Sequence, residues 1–224
     1  MKPIAIFMHG LFFIGQPPVP LPNAGCILSN QITQMRNSGL WQAATEIHVG
    51  INGSEESIQP ANSIIPVSGQ VHYHGLQSRN ENLTVMMLLD WAKTHPGWNI
   101  LYVHTKSASH DPNSDYGRKM AVWRDSMMTD LVTHWRRCVE DLETHDIACM
   151  TWLWEMGWDK SQHIPGGNFL WITSDFAAKL PSLYDRARIK EDGIGALSSR
   201  YEAEVAWGNG PRPNVKAYRE RLPI

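Results

Sequence analysis

The first hundred residues alternate short, continuous apolar runs with longer stretches whose apolar positions recur every three or four residues. Ile4 to Met8 is the first run and reads as a strand, ended by His9-Gly10. A Pro-rich loop, Pro17 to Pro22, leads into a helical stretch from about Gly25 to Asn37, which Ser38-Gly39 closes. Glu46 to Ile51 is a second strand stopped by Asn52-Gly53, and Gln70 to His74 a third. Leu83, Met86, Met87 and Trp91 recur at helical spacing between Glu81 and Thr94; His95-Pro96-Gly97 ends that helix, and Asn99 to Val103 is a fourth strand. Strands alternating with helices predict an α/β fold, a single Rossmann-like, mostly parallel sheet flanked by helices.

The second half is less regular. From Asp115 to Glu143, Met120, Trp123, Met127, Leu131, Trp135, Cys138 and Leu142 fall every three or four residues and predict one long helix with a buried face. Ile147 to Trp154 and Phe169 to Ile172 read as strands. Thr173-Ser174-Asp175 is an N-cap cluster for a helix over Phe176 to Leu180, Ser198 to Trp207 is a last helix, and a Gly/Pro-rich arm follows from Gly208. No repeat or linker divides the chain, so residues 1–224 are expected to form one domain.

Bulk properties narrow the function classes. With 20 Lys+Arg against 22 Asp+Glu, the formal net charge of −2 supplies no global field for nucleic acid. The three cysteines, Cys26, Cys138 and Cys149, have neither disulfide-framework nor zinc-knuckle spacing and fit a reducing cytosol. Neither a targeting signal nor a run of roughly twenty apolar residues is present, so a cytoplasmic protein without a membrane span is expected, in the host cytoplasm if the chain is viral.

Ligands of open parallel sheets collect at the carboxyl ends of the strands. His9, Asn52-Gly53, His74-Gly75 and His104-Thr105-Lys106 all fall at such ends, which points to one site. Lys106, Ser107, Ser109, Arg118 and Lys119 offer cationic and hydroxyl donors suited to phosphate oxygens, so a nucleotide diphosphate is the expected ligand. On residues alone the plainer reading stays open, with Lys106 and Arg118 as solvated charges and His104 as a hydrogen-bonded strand-end histidine.

Four segments then carry a family resemblance: "YVHTKS" at Tyr102 to Ser107, Trp123-Arg124, "GGNFLWI" at Gly166 to Ile172, and "RYEAEVAWG" at Arg200 to Gly208. In this order the chain resembles a group of glycosyltransferase-like proteins marked by HTKG, GNFWW-like and YEAE-like segments, and the regions Gln31 to Leu40 and Asn80 to Leu83 resemble it too. The resemblance implies a GT-A-like nucleotide-diphospho-sugar transferase, with a sugar nucleotide such as a UDP-sugar as donor. Such enzymes usually hold Mn²⁺ or Mg²⁺ on an Asp-x-Asp pair at the strand end that here reads His104-Thr105-Lys106. Lys106 is a candidate to neutralise the diphosphate directly, so Mn²⁺ or Mg²⁺ is possible but not required. The strand ends and cationic donors put His9, Asn52 and Arg118 at the donor, and the resemblance puts His104, Thr105, Lys106 and Arg124 there with them. Gly166, Gly167, Asn168 and Trp171 fall to the sugar and acceptor pocket. Ser107 stands where a glycine is usual, and Leu170 where a first tryptophan is usual.

Sugar transfer also needs a base for the acceptor hydroxyl. Glu204 and Glu202 are the first candidates, with Asp175 and Glu155 behind them; paired surface charges are the plain alternative for both glutamates. His163 precedes the Gly166 turn, and His72 and His74 share a strand face on which two metal ligands are conceivable without an evident third. A non-catalytic nucleotide- or carbohydrate-binding module is the other reading. An α/β-hydrolase is suggested only by "FMHGLF" at Phe7 to Phe12, with no G-x-S-x-G elbow anywhere in the chain. The acceptor is either a glycan hydroxyl or a hydroxylated base in phage DNA. For DNA, Arg136-Arg137, Arg186, Arg188, Lys190, Arg212, Lys216, Arg219 and Arg221 are the residues available for a basic groove.

Overall fold

The computed structural model describes residues 1–14, 19–53, 65–66, 68–75, 81–156, 162–183 and 201–222. The chain opens with β1 (Ile4–Leu11) and a small hairpin of β2 (Phe13–Ile14) and β3 (Val19–Pro20). Next come α1 (Asn23–Asn37), the one-turn α2 (Leu40–Ala43), β4 (Glu46–Asn52), β5 (Gln70–Tyr73), α3 (Asn82–Thr94) and β6 (Asn99–His104). The helical stretch predicted as continuous is divided into α4 (Asp115–Met128), a π turn (Thr129–Thr133) and α5 (Trp135–Asp141). β7 (Ile147–Cys149), β8 (Trp152–Met156), β9 (Gln162–Pro165), β10 (Leu170–Thr173), α6 (Ser174–Ala177), α7 (Tyr201–Val205), a 3₁₀ turn (Ala206–Gly208) and β11 (Val215–Ala217) complete the described elements.

Seven strands form one sheet in the order β11-β7-β10-β6-β1-β4-β5. All neighbours are parallel except β10, which runs antiparallel to both β6 and β7. The fold is therefore α/β with a mostly parallel sheet, as the strand-helix rhythm predicts. Central strands buried on both faces read as unbroken apolar runs, which is why Ile4 to Met8 and Ile100 to Val103 lack alternation. On one face Ile6, Met8, Leu101 and Val103 pack with Leu28 and Ile32 of α1 and with Leu131 and Trp135. On the other, Phe7, Ile100 and Tyr102 pack with Val85 and Leu88 of α3 and with Ala203 and Trp207.

Three expectations need correction. The long helix keeps its buried face through Leu131, Trp135 and Cys138, but the wider π turn takes up an extra residue before α5 starts. The run Ile147 to Trp154 is two strands: β7 joins the main sheet, while β8 leaves it to pair with β9. The helix after "GGNFLWI" starts at Ser174 rather than Phe176, because the Thr173 side chain caps the Phe176 amide. The Gly/Pro-rich arm after Gly208 is docked: β11 adds to the sheet edge, Arg219 binds Asp130 at 2.7 Å, and the Tyr218 hydroxyl donates to Asp141 at 2.8 Å. Residues 198–200 of the last predicted helix lie outside the described residues.

Candidate functional site

β1 and β6 run side by side with His9 in register with His104, and both strands end at the same rim of the sheet. The chain past β6 is held there by the Thr105 amide, which donates to His9 O at 2.9 Å, and by Thr105 Oγ1, which accepts from the Leu11 amide at 2.8 Å. Turns then fold the chain over the strand ends: Ala108 N donates to Thr105 O at 3.2 Å and His110 N to Ser107 O at 3.0 Å. Ser107 sits in the left-handed region at φ 70, which explains why glycine suits this position. Arg124 of α4 supports the turn, donating to Ser107 Oγ at 3.0 Å and to Lys106 O at 3.4 Å.

Beneath this loop lies a cavity of about 370 Å³ bordered by His9, Glu81, His104, Lys106, Gly167 and Glu204, with Trp123, Leu153 and Ile164 forming apolar walls. Gly167 brings the turn before β10 close to α4: its φ is 90, and a Cβ there would press on Met127 Sδ and Trp123. The Lys106 ammonium lies over the Trp123 ring.

Glu81 organises the floor and is the residue that sequence reading missed. It immediately precedes α3 and is only 8% exposed. Its Oε2 accepts the Tyr102 hydroxyl at 2.6 Å and lies 3.5 Å from His104 Nδ1, while its Oε1 accepts from Asn168 Nδ2 at 2.9 Å. Asn168 in turn accepts from Trp207 Nε1, and His104 Nε2 bonds Gly167 O at 3.1 Å. Burial first, then Glu81, then Glu204 hold the Tyr102 phenol well above its ordinary pKa, so it remains a donor. The one sequence signal for Glu81 was its position in the Asn80 to Leu83 region.

Of the predicted donor residues, His9, His104, Thr105 and Lys106 meet at the cavity, and Arg124 reaches its loop from behind. Arg118 does not: it is exposed and paired with Asp115 and Asn113 O. Asn52 is buried and bonds the backbone of Phe12 and Phe13, which fixes the exit of β1. In the predicted sugar pocket, Gly167 borders the cavity while Asn168 is fully buried as a brace for Glu81. Gly166 packs toward Leu222 and Thr151, and Trp171 is fully buried in the core with its indole N–H on Leu131 O.

Among the predicted bases, Glu204 borders the cavity. Asp175 lies at the opposite end of the sheet, where it accepts from the Gly97 amide at 3.0 Å. The cause is the antiparallel course of β10, which puts Gly167 at the rim and Thr173 beside Asn99, the first residue of β6. The side chains of Glu202 and Glu155 lie outside the described residues.

The remaining histidines of the strand ends and the Gly166 turn have protein partners. His48 and His72 bond each other at 3.2 Å, His74 bonds Thr84, and His163 rests against Trp154. Among the described residues no group of three or more His, Cys, Asp or Glu side chains could hold a metal ion. Of the predicted basic groove, Arg136 lies over Trp135, Arg137 over Tyr218 and Arg212 over Trp154, while Arg219 is paired with Asp130. Arg186, Arg188 and Lys190 lie outside the described residues. No helix among the described residues is long and apolar enough to cross a membrane.

No protein-family model matches the chain, and no curated protein matches it. Solved structures with a similar course include a protein of Desulfovibrio desulfuricans provisionally named a nucleotide-diphospho-sugar transferase, at 10% identity, covering 97% of this chain and 80% of that one, TM-score 0.45. A 4-diphosphocytidyl-2C-methyl-D-erythritol synthase is similar at 12% identity, covering 100% and 94%, TM-score 0.43. Rv0371c of Mycobacterium tuberculosis, also solved with manganese, is similar at 12% identity, covering 84% and 82%, TM-score 0.40. Likeness at this level leaves substrate and activity to be read from the cavity itself.

Proposed function

We propose that the chain is a glycosyltransferase that moves a sugar from a nucleotide-diphosphate sugar to an acceptor hydroxyl. The observation that carries this reading is convergence: four segments remote in sequence, the His104-Thr105-Lys106 strand tip, Trp123, Gly167 and Glu204, border one cavity at the carboxyl ends of β1 and β6. A volume of about 370 Å³ falls within the range of small-molecule pockets.

In this reading the Lys106 ammonium faces the diphosphate, where negative charge grows as the bond from the anomeric carbon to the phosphate oxygen breaks. Arg124 acts through the loop, holding Ser107 and the Lys106 carbonyl so that the ammonium is already in place. The acceptor oxygen forms the new bond to the anomeric carbon and gives its proton to Glu204. Glu81 has both oxygens engaged with protein donors and fixes the floor. No step is assigned to a metal ion. The acceptor is a glycan hydroxyl or a hydroxylated DNA base.

The test is mass spectrometry of the purified chain with UDP-, GDP-, TDP- and CDP-sugars against glycan, small-molecule and hydroxymethylated-DNA acceptors. Sugar transfer to any acceptor supports the reading. Binding of a sugar nucleotide without transfer in any combination makes the chain a binding module instead.

A further inference from the structure

We infer that His9 holds a hydroxyl of the donor sugar at the floor of the cavity through Nε2, and that Thr84 and His74 set the polarity of that hydrogen bond. This assignment rests on the sugar-nucleotide reading above and moves His9 from the diphosphate to the sugar.

His9 borders the cavity yet is only 1% exposed. Its Nδ1 is taken by Thr84 Oγ1 at 2.8 Å, whereas Nε2 is buried without a hydrogen-bond partner. The two nitrogens of an imidazole point to nearly opposite sides, so the edge turned from Thr84 carries Nε2. Buried polar atoms are almost always bonded, and Nε2 is the ring nitrogen of this cavity-lining residue that has no protein partner to bond.

The chemistry of that atom follows from charge. Burial holds the His9 pKa well below its ordinary value, and His74 and His104 nearby act in the same direction. The charged groups bordering the same cavity are Lys106, Glu81 and Glu204. A neutral imidazole brings no charge to a phosphate, and Lys106 is the group suited to that partner. A hydroxyl both donates and accepts, so it matches either tautomer of a neutral imidazole.

Thr84 makes both tautomers available. Its Oγ1 lies 2.8 Å from His9 Nδ1 and 2.9 Å from His74 Nε2, with a single proton to give. When that proton goes to His74, His9 Nδ1 supplies the N–H and Nε2 is an acceptor. When it goes to His9, His74 supplies the N–H, and His9 Nε2 carries a proton and donates. Gly50, in register with His9 on β4, keeps the junction open, because a Cβ there would collide with Thr84 Oγ1 and His74 Nε2.

Calorimetry with UDP and GDP beside UDP-glucose, UDP-galactose and GDP-mannose tests the assignment on wild type, His9→Phe and Thr84→Val. The expected result is that one or more sugar nucleotides bind the wild type more tightly than their own diphosphates. His9→Phe then weakens those sugar nucleotides by about tenfold, Thr84→Val weakens them by less because either tautomer still meets a hydroxyl, and both leave the diphosphates within about twofold. An unchanged sugar increment in both variants, equal losses for sugar nucleotide and diphosphate, or no sugar increment in the wild type overturns it. Absence of any diphosphate binding to the wild type overturns the sugar-nucleotide reading itself, and the assignment with it. Should His9→Phe fail to fold, ¹⁵N-histidine spectra of the wild type decide: Nε2 of His9 shifts on adding the sugar nucleotide and not on adding the diphosphate, and a spectrum without that difference overturns the assignment.

Discussion

The Lys106 ammonium lies over the face of Trp123, 4.2 Å from the ring centroid, in the wall of the cavity. A ring face attracts a cation and holds a long flexible side chain without neutralising it. Lys106→Ala is therefore expected to weaken nucleoside-diphosphate binding by about 1.5–3 kcal/mol, the range of a charge-assisted hydrogen bond. Trp123→Leu, which removes only the platform, is expected to cost about 0.5–1 kcal/mol. Turnover is expected to survive EDTA at least in part; complete loss restored by Mn²⁺ would show that Lys106 does not take the metal's place.

Glu81 is expected to matter for stability before it matters for rate. Glu81→Ala leaves the Tyr102 hydroxyl and the Asn168 amide without their buried acceptor, a loss of about 2–3 kcal/mol in urea denaturation. Glu81→Gln keeps the shape and one acceptor oxygen and is expected to lose less. Equal stability of wild type and Glu81→Ala would mean that the floor is not held by these bonds.

The histidines set an acid limit on the fold. Burial lowers the pKa of His9, His48, His72 and His74, that of His74 to about 4, with neighbouring histidines adding to the effect and Glu46 opposing it at His48. A folded pKa below the unfolded value near 6.5 means that the unfolded chain takes up protons first. Stability is then full above about pH 6.5 and falls as the pH drops toward about 4. Urea midpoints at pH 7.5, 5.5 and 4.5 are expected to decrease in that order, and His74→Phe is expected to flatten the decline. A midpoint independent of pH across this range would contradict the burial of these rings.

The strands that build the site were legible because a strand buried on both faces leaves an unbroken apolar run, and the polar residues that end it mark the rim. His104-Thr105-Lys106 was found in this way. The direction of β10 was not legible, since "LWIT" is as apolar in either sense; Asp175 was accordingly placed at the site when it lies at the far end of the sheet. Asn168 and Trp171 look like pocket residues in sequence, yet a buried amide bracing a carboxylate and a buried indole in a core carry the same letters. Glu81 was missed because its role depends on Tyr102, His104 and Asn168, partners brought to it only by the fold.

Glu204 is the carboxylate expected to take the acceptor's proton. It borders the cavity from α7, a helix anchored through the buried Ala203 and Val205, and it lies close enough to raise the pKa of the Tyr102 phenol on the floor. Glu204→Gln keeps size and polarity while removing basicity, so donor affinity and fold should persist as kcat falls by roughly 10²–10⁴. Glu202→Gln, two positions away on the same helix, is expected to do much less, because residues two apart on a helix do not share a face. Asp175→Asn, at the other end of the sheet, is expected to leave kcat unchanged. If Glu202→Gln alone is inactive, the two glutamates exchange roles; if both variants keep wild-type rates, the proton leaves by a different group. Rescue of an inactive Glu204 variant by azide would point to a covalent intermediate and retention at the anomeric carbon, whereas no rescue together with loss of kcat is the outcome expected of a base.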